Sequence, residues 1–127
     1  MWLIALAAAL SAASAGDGLT GLWENSNNTV VANVTICGPA LCGRIVRASG
    51  SAEDDARAAG APGMVGTQVL RNFQASGENR WRGRVFVPAR NRSFSAVITR
   101  IDPRRIRIGA CILGGLLCQS EDWHRAR

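Results

Sequence analysis

Between Thr29 and Cys37 the chain alternates, with Val30, Ala32, Val34 and Ile36 on one side and Thr29, Asn33 and Thr35 on the other. That is the period of a half-buried strand. Gly38-Pro39 then turns the chain, and Cys42 to Val46 returns, so this stretch predicts a hairpin. Gly21-Leu22-Trp23 opens a first short strand, with a Trp large enough to plug one end of a barrel, and Asn25 to Asn28 is a polar turn. Thr67 to Phe73 resumes the strand pattern, and Gly77-Glu78-Asn79 turns it. From Arg80 to Val87, Arg80, Arg82 and Arg84 alternate with Trp81, Gly83, Val85 and Val87. The apolar set must face the core, which places the arginines outside. Pro88 to Asn91 turns into Ser93 to Ile101, and Asp102-Pro103 turns again into Arg105 and Arg107 set against Ile106 and Ile108. Gly114-Gly115 leads into a last strand, Leu116 to Trp123. About eight strands joined by tight turns, without a βαβ rhythm, predict an all-β fold: a small antiparallel up-and-down barrel or a strongly curved sheet.

Ser49 to Gly66 breaks the pattern. It is rich in Ala and Gly, carries Glu53, Asp54 and Asp55, and is long for a connection within a compact domain. Ser51 as N-cap with Asp54 three residues on predicts a short helix through Ala59, ended by Gly60 and Pro62. Two roles are open to it. It is a lid over a barrel mouth or a solvated excursion, and the ease with which surface loops absorb insertions favours the excursion.

The amino terminus changes the setting. Trp2 to Leu10 is an apolar run too short to span a bilayer, and Ala13-Ser14-Ala15 matches a small-residue cleavage site. Residues 1–15 are therefore expected to be a cleaved export signal and 16–127 the mature single domain, periplasmic or secreted, with a membrane-retained helix as the alternative. No other apolar run is long enough to cross a membrane. The 127 residues, 47% of them hydrophobic, suit one core. Of the ionisable residues, 15 are basic, all Arg, against 9 acidic, for a formal charge of +6. Such an excess fits an anionic partner or serves solubility alone.

In an exported chain, four cysteines form a disulfide framework first. Cys37 with Cys42 and Cys111 with Cys118 is the favoured pairing among the three connectivities, because each pair brackets a Gly-containing turn. A four-thiolate zinc site is disfavoured by the open Cys111 to Cys118 spacing. A thioredoxin-like pair would need C-x-x-C at a helix start, and neither pair has it. The rest of the chemical inventory is thin. His124 is the one histidine, placed just past the last predicted strand, and a general base needs a nucleophile and an orienting partner. Glu121 and Asp122 are adjacent and point to opposite faces of a strand, so they are no working pair. No phosphate loop, G-x-S-x-G or metal-ligand spacing occurs. These patterns predict no catalytic site, no metal and no cofactor.

Several motifs together carry a resemblance: GLW at Gly21 to Trp23, ICGPALCGRIV at Ile36 to Val46, W-x-G-R-V-F-x-P from Trp81 to Pro88, and GACILGGLLCQSEDWHR from Gly109 to Arg125. In order and spread over nearly all of the mature chain, they resemble the exported bacterial proteins grouped as domain of unknown function 2147. The resemblance implies a lipocalin-like, calycin-type small barrel and no established activity.

Two functions fit. As a binding module, the barrel would hold one small hydrophobic ligand against Val30, Val34, Ile36, Trp81, Val85, Phe94, Ile98, Ile106 and Ile108, unless those side chains simply fill a narrow barrel. As an envelope interaction protein, Arg80, Arg82, Arg84, Arg105 and Arg107 would form an outward basic face for anionic lipid, lipopolysaccharide or a protein partner, unless they only protect the surface. Nucleic acid is disfavoured by export and by the lack of aromatics interleaved with the arginines.

Overall fold

A computed structural model describes residues 18–112 and 117–126. The export signal expected over residues 1–15 and the Gly114-Gly115 turn lie outside the described residues. The strands are β1 (Gly21–Glu24), β2 (Val30–Cys37), β3 (Ala40–Ala48), β4 (Gln68–Gly77), β5 (Arg80–Val87), β6 (Arg92–Asp102), β7 (Arg105–Ile112) and β8 (Leu117–Arg125), with one helix, α1 (Gly50–Ala58), between β3 and β4. Each strand pairs antiparallel with its neighbour in sequence, and β8 returns to β1, so the sheet closes as an up-and-down barrel. Closure leaves neither β1 nor β8 as a free edge strand.

Turn chemistry sets the register. Cys37 lies opposite Ala40, so Gly38-Pro39 is a two-residue loop whose first residue takes φ +66°, the glycine-first turn that matches strand twist. Cys42 lies opposite Thr35, so the Cys37–Cys42 disulfide crosses the hairpin diagonally with Cα atoms 5.9 Å apart, not between facing residues. Cys111 and Cys118 do face each other, 4.0 Å apart at Cα, and form the second disulfide. At the β4–β5 turn, Asn79 takes φ +56°, a conformation that Asn tolerates better than other side chains.

Alternate connections of such a barrel gather at opposite ends. One end carries the turns at 38–39, 78–79 and 103–104, the entry to β1 and the exit from β8. This end is closed. Leu19, Trp23, Phe73, Trp81, Ile98 and Ile106 fill it, each no more than 6% exposed. Large apolar side chains buried to that degree contribute roughly 1.5–3 kcal/mol each. The other end carries the loops at 25–29, 49–67 and 88–91 and is open.

The segment between β3 and β4 differs from the expected solvated excursion. Ser49, not Ser51, is the N-cap: its hydroxyl accepts from the Ala52 amide at 3.2 Å, and its own amide donates to the Thr29 carbonyl at 2.8 Å. The second bond ties the start of α1 to the β1–β2 loop. Ala56, Ala61 and Met64 are buried in the main core, so the segment forms part of the barrel's wall at its open end. Small residues, unremarkable in a periodicity scan, let the helix approach this closely. Among the described residues no helix is long and apolar enough to cross a membrane.

Candidate functional site

Within the open half of the barrel lies a partly enclosed cavity of about 810 Å³. Its apolar wall includes Val30, Ile45, Val69, Leu70, Phe94 and Ile108. Ser26, Asn27, Ser51, Asp55 and Arg90 stand around its mouth. The register explains the space. Opposite one another on the inner faces of β7 and β8 are Ala110 and Gln119, then Ile108 and Glu121, so a small residue and two polar ones line that wall where bulky apolar residues would fill it.

The sequence-predicted set divides. Val30, Val85, Phe94 and Ile108 line the cavity. Val34, Trp81, Ile98 and Ile106 are buried but absent from its lining, being packed in the closed half. Ile36 is 61% exposed. Its parity is that of the inward set, but β1 pairs with β2 only as far as Val34, so Ile36 runs past the end of β1 with only β3 beside it, where it pairs with Leu41. Cavity wall and filled core each describe one half of the barrel.

Glu121 is among the cavity-lining residues that the sequence reading left out. One carboxylate oxygen accepts from Ser26 Oγ at 2.8 Å and the other from Trp123 Nε1 at 3.0 Å. Parity carried the signal: Trp123 is buried, so Glu121 and Gln119, two and four residues before it, share its inward face. Asn25 fixes the loop beside it. Buried at the barrel rim, its Oδ1 accepts from the amides of Thr29 and Val30, at 2.9 and 3.0 Å, and its Nδ2 donates to Thr29 Oγ1 at 2.8 Å.

The arginines are outside, as alternation requires, but not as one basic face. On β7, Arg107 donates from Nε to Asp122 at 2.7 Å, and Arg105 faces Asp102 at 3.7 Å. The Arg107 hydrogen bond holds the Asp122 carboxyl below its ordinary pKa, and the same bond raises the Arg107 guanidinium. Arg80, Arg82 and Arg84 on β5 have no carboxylate partner among the described residues, and Arg84 donates to the Ser93 carbonyl at 3.2 Å. The expected face thus narrows to one strand. His124 belongs to β8 and is not past its end, with Nε2 3.5 Å from Glu24 on the outer wall. Among the described residues no group of three or more His, Cys, Asp or Glu side chains is placed to hold a metal.

A closed eight-stranded antiparallel barrel with one filled end and one hollow end is a lipocalin-like architecture. Residues 21–125 match the family described as uncharacterized protein conserved in bacteria, domain of unknown function 2147, and the chain belongs to that family. A search of curated proteins finds no match. Among solved structures, the chain is similar to protein HP1028 from the human pathogen Helicobacter pylori, described as belonging to the lipocalin family. The TM-score is 0.65 at 9% identity, over 86% of this chain and 83% of that one. At that identity the likeness is one of fold.

Proposed function

We propose that this protein binds one small, largely apolar molecule in the open half of its barrel and does so outside the cytoplasm, as a carrier and not a catalyst. The observation that carries the reading is the cavity of about 810 Å³. It lies within the range of small-molecule sites, roughly 300–1,000 Å³, and shares their composition of an apolar wall with a few convergent polar groups. Two disulfides fit an oxidising compartment, and the apolar run before Ala15 fits export of a mature domain over residues 16–127.

The test is titration of the oxidised protein with the neutral fluorescent probe N-phenyl-1-naphthylamine. Saturable enhancement that persists at high salt is expected, because apolar burial is insensitive to ionic screening. Ala110→Phe, which fills the cavity wall, is expected to abolish it. Absence of saturable enhancement in the unmodified protein, or its survival in Ala110→Phe, would refute the cavity as a binding site.

A further inference from the structure

The polar groups of the cavity select a ligand class. Glu121 faces inward between an apolar wall and the mouth, and its two oxygens take one hydrogen bond each, from Ser26 and Trp123. Both donors are neutral. A carboxylate has about four lone-pair positions, so capacity remains for a further donor. No cation pairs with Glu121 among the described residues. Asp55, on the exposed face of α1 across the mouth, also lines the cavity without a cationic partner among them. Arg90, the one basic side chain of the lining among the described residues, is exposed on the β5–β6 turn, where solvent screens it. The charge facing the interior is therefore the carboxylate of Glu121.

Resting on the cavity reading above, we propose that the ligand is a cationic amphiphile, with an apolar body against Val85, Phe94 and Ile108 and a protonated amine donating to Glu121. A charge-assisted hydrogen bond in a partly desolvated site is stronger than its neutral counterpart, whereas a fatty-acid carboxylate in the same pose would meet a like charge. The overall formal charge of +6 works in the opposite direction, drawing anions to the protein at large. A preference for amines thus reports the cavity and not the surface.

The experiment is displacement of N-phenyl-1-naphthylamine by dodecylamine, 1-dodecanol and dodecanoate, each below its micelle concentration. Dodecylamine is expected to displace the probe best and dodecanoate worst. Glu121→Gln should weaken dodecylamine on the order of tenfold, as removal of one charge-assisted hydrogen bond predicts, and leave 1-dodecanol nearly unchanged. Asp55→Asn, at an exposed helix position, gives a second variant should Glu121→Gln fold poorly, and a smaller loss for dodecylamine alone is expected there. Equal displacement by all three, a preference for dodecanoate, or an amine preference untouched in both variants would overturn the proposal while leaving the cavity a binding site. Failure of the probe to bind the unmodified protein at all would remove the cavity reading itself, and this proposal with it.

Discussion

Arg125 lays its guanidinium over the indole of Trp23, 4.1 Å from the ring centroid, and the two residues face each other in the β1–β8 register. From that position Nη1 donates to the Thr20 carbonyl at 2.6 Å and Nη2 to the Gly18 carbonyl at 2.9 Å. Trp23, fully buried, donates from Nε1 to the Leu19 carbonyl at 2.8 Å. β1 is only four residues long, so the seam that closes the barrel has the shortest strand. One side chain from the last strand fastens the backbone that leads into the first. Burial and the nearby Arg100 and Arg104 lower the Arg125 pKa, but a guanidinium remains charged throughout the accessible pH range.

Arg125→Ala should therefore destabilise the fold by about 2 kcal/mol, combining a partly desolvated cation–π contact with charge-assisted bonds to two carbonyls. Arg125→Lys keeps the charge and loses the planar fork, so it should recover only part. Urea unfolding reads both as a shifted midpoint at constant slope. An Ala variant with the parental midpoint would show that the seam is held by its strand pairing alone.

Gly83 answers a different constraint. A Cβ there would stand 2.7 Å from the Arg71 carbonyl oxygen and 2.8 Å from Phe73 Cγ, because β4 bulges between Arg71 and Gln74, with Asn72 at φ +54°, and presses Phe73 onto β5. Two of the nearest three atoms are backbone oxygens and cannot swing aside. Gly83→Ala is expected to destabilise by roughly 1–3 kcal/mol, the range for overpacking a core. Ser95→Ala, on the exposed outer face of the neighbouring β6, should change stability little. A neutral Gly83→Ala would mean that β4 can straighten.

The strands and their order were legible because period-two alternation and turn residues are local signals, and β5 runs from Arg80 to Val87 as its alternation indicated. What escaped depends on the barrel's third dimension. The exposure of Ile36 follows from the shortness of β1, which no property of β2 encodes. Pairing of Arg107 with Asp122 requires knowing that β7 and β8 face each other in one register. The cavity follows from Ala110, Gln119 and Glu121 coming together on two inner faces, and each alone reads as an ordinary strand residue.

The two disulfides occupy opposite ends, which separates their effects. Each closes a short loop, with sequence separations of 5 and 7, so replacing either pair by Ser should destabilise by about 2 kcal/mol on a loop-entropy estimate. Only Cys111–Cys118 adjoins the cavity, next to Leu117 in its wall. Probe binding is expected to weaken in Cys111→Ser/Cys118→Ser and to stay unchanged in Cys37→Ser/Cys42→Ser. Equal loss of binding in both would mean that the mouth responds to global stability and not to its local staple.

The Arg107–Asp122 pair gives the protein an acid dependence whose sign is fixed. Hydrogen bonding to Arg107 depresses the Asp122 pKa in the folded state relative to an unfolded value near ~3.9. The folded form therefore binds its proton less readily than the unfolded form. The resulting stability is complete above the unfolded value and declines as pH falls through the lower folded one. Because both side chains are substantially exposed, solvent screens the pair and the contribution is modest. Asp122→Asn should lower the urea midpoint slightly at pH 7, and the difference from the parent should shrink as pH falls through the depressed folded pKa of Asp122. At high salt the gap at pH 7 should also narrow. A gap that did not shrink on acidification from pH 7 would assign the effect of the substitution to packing on the outer wall, with no part played by the charge.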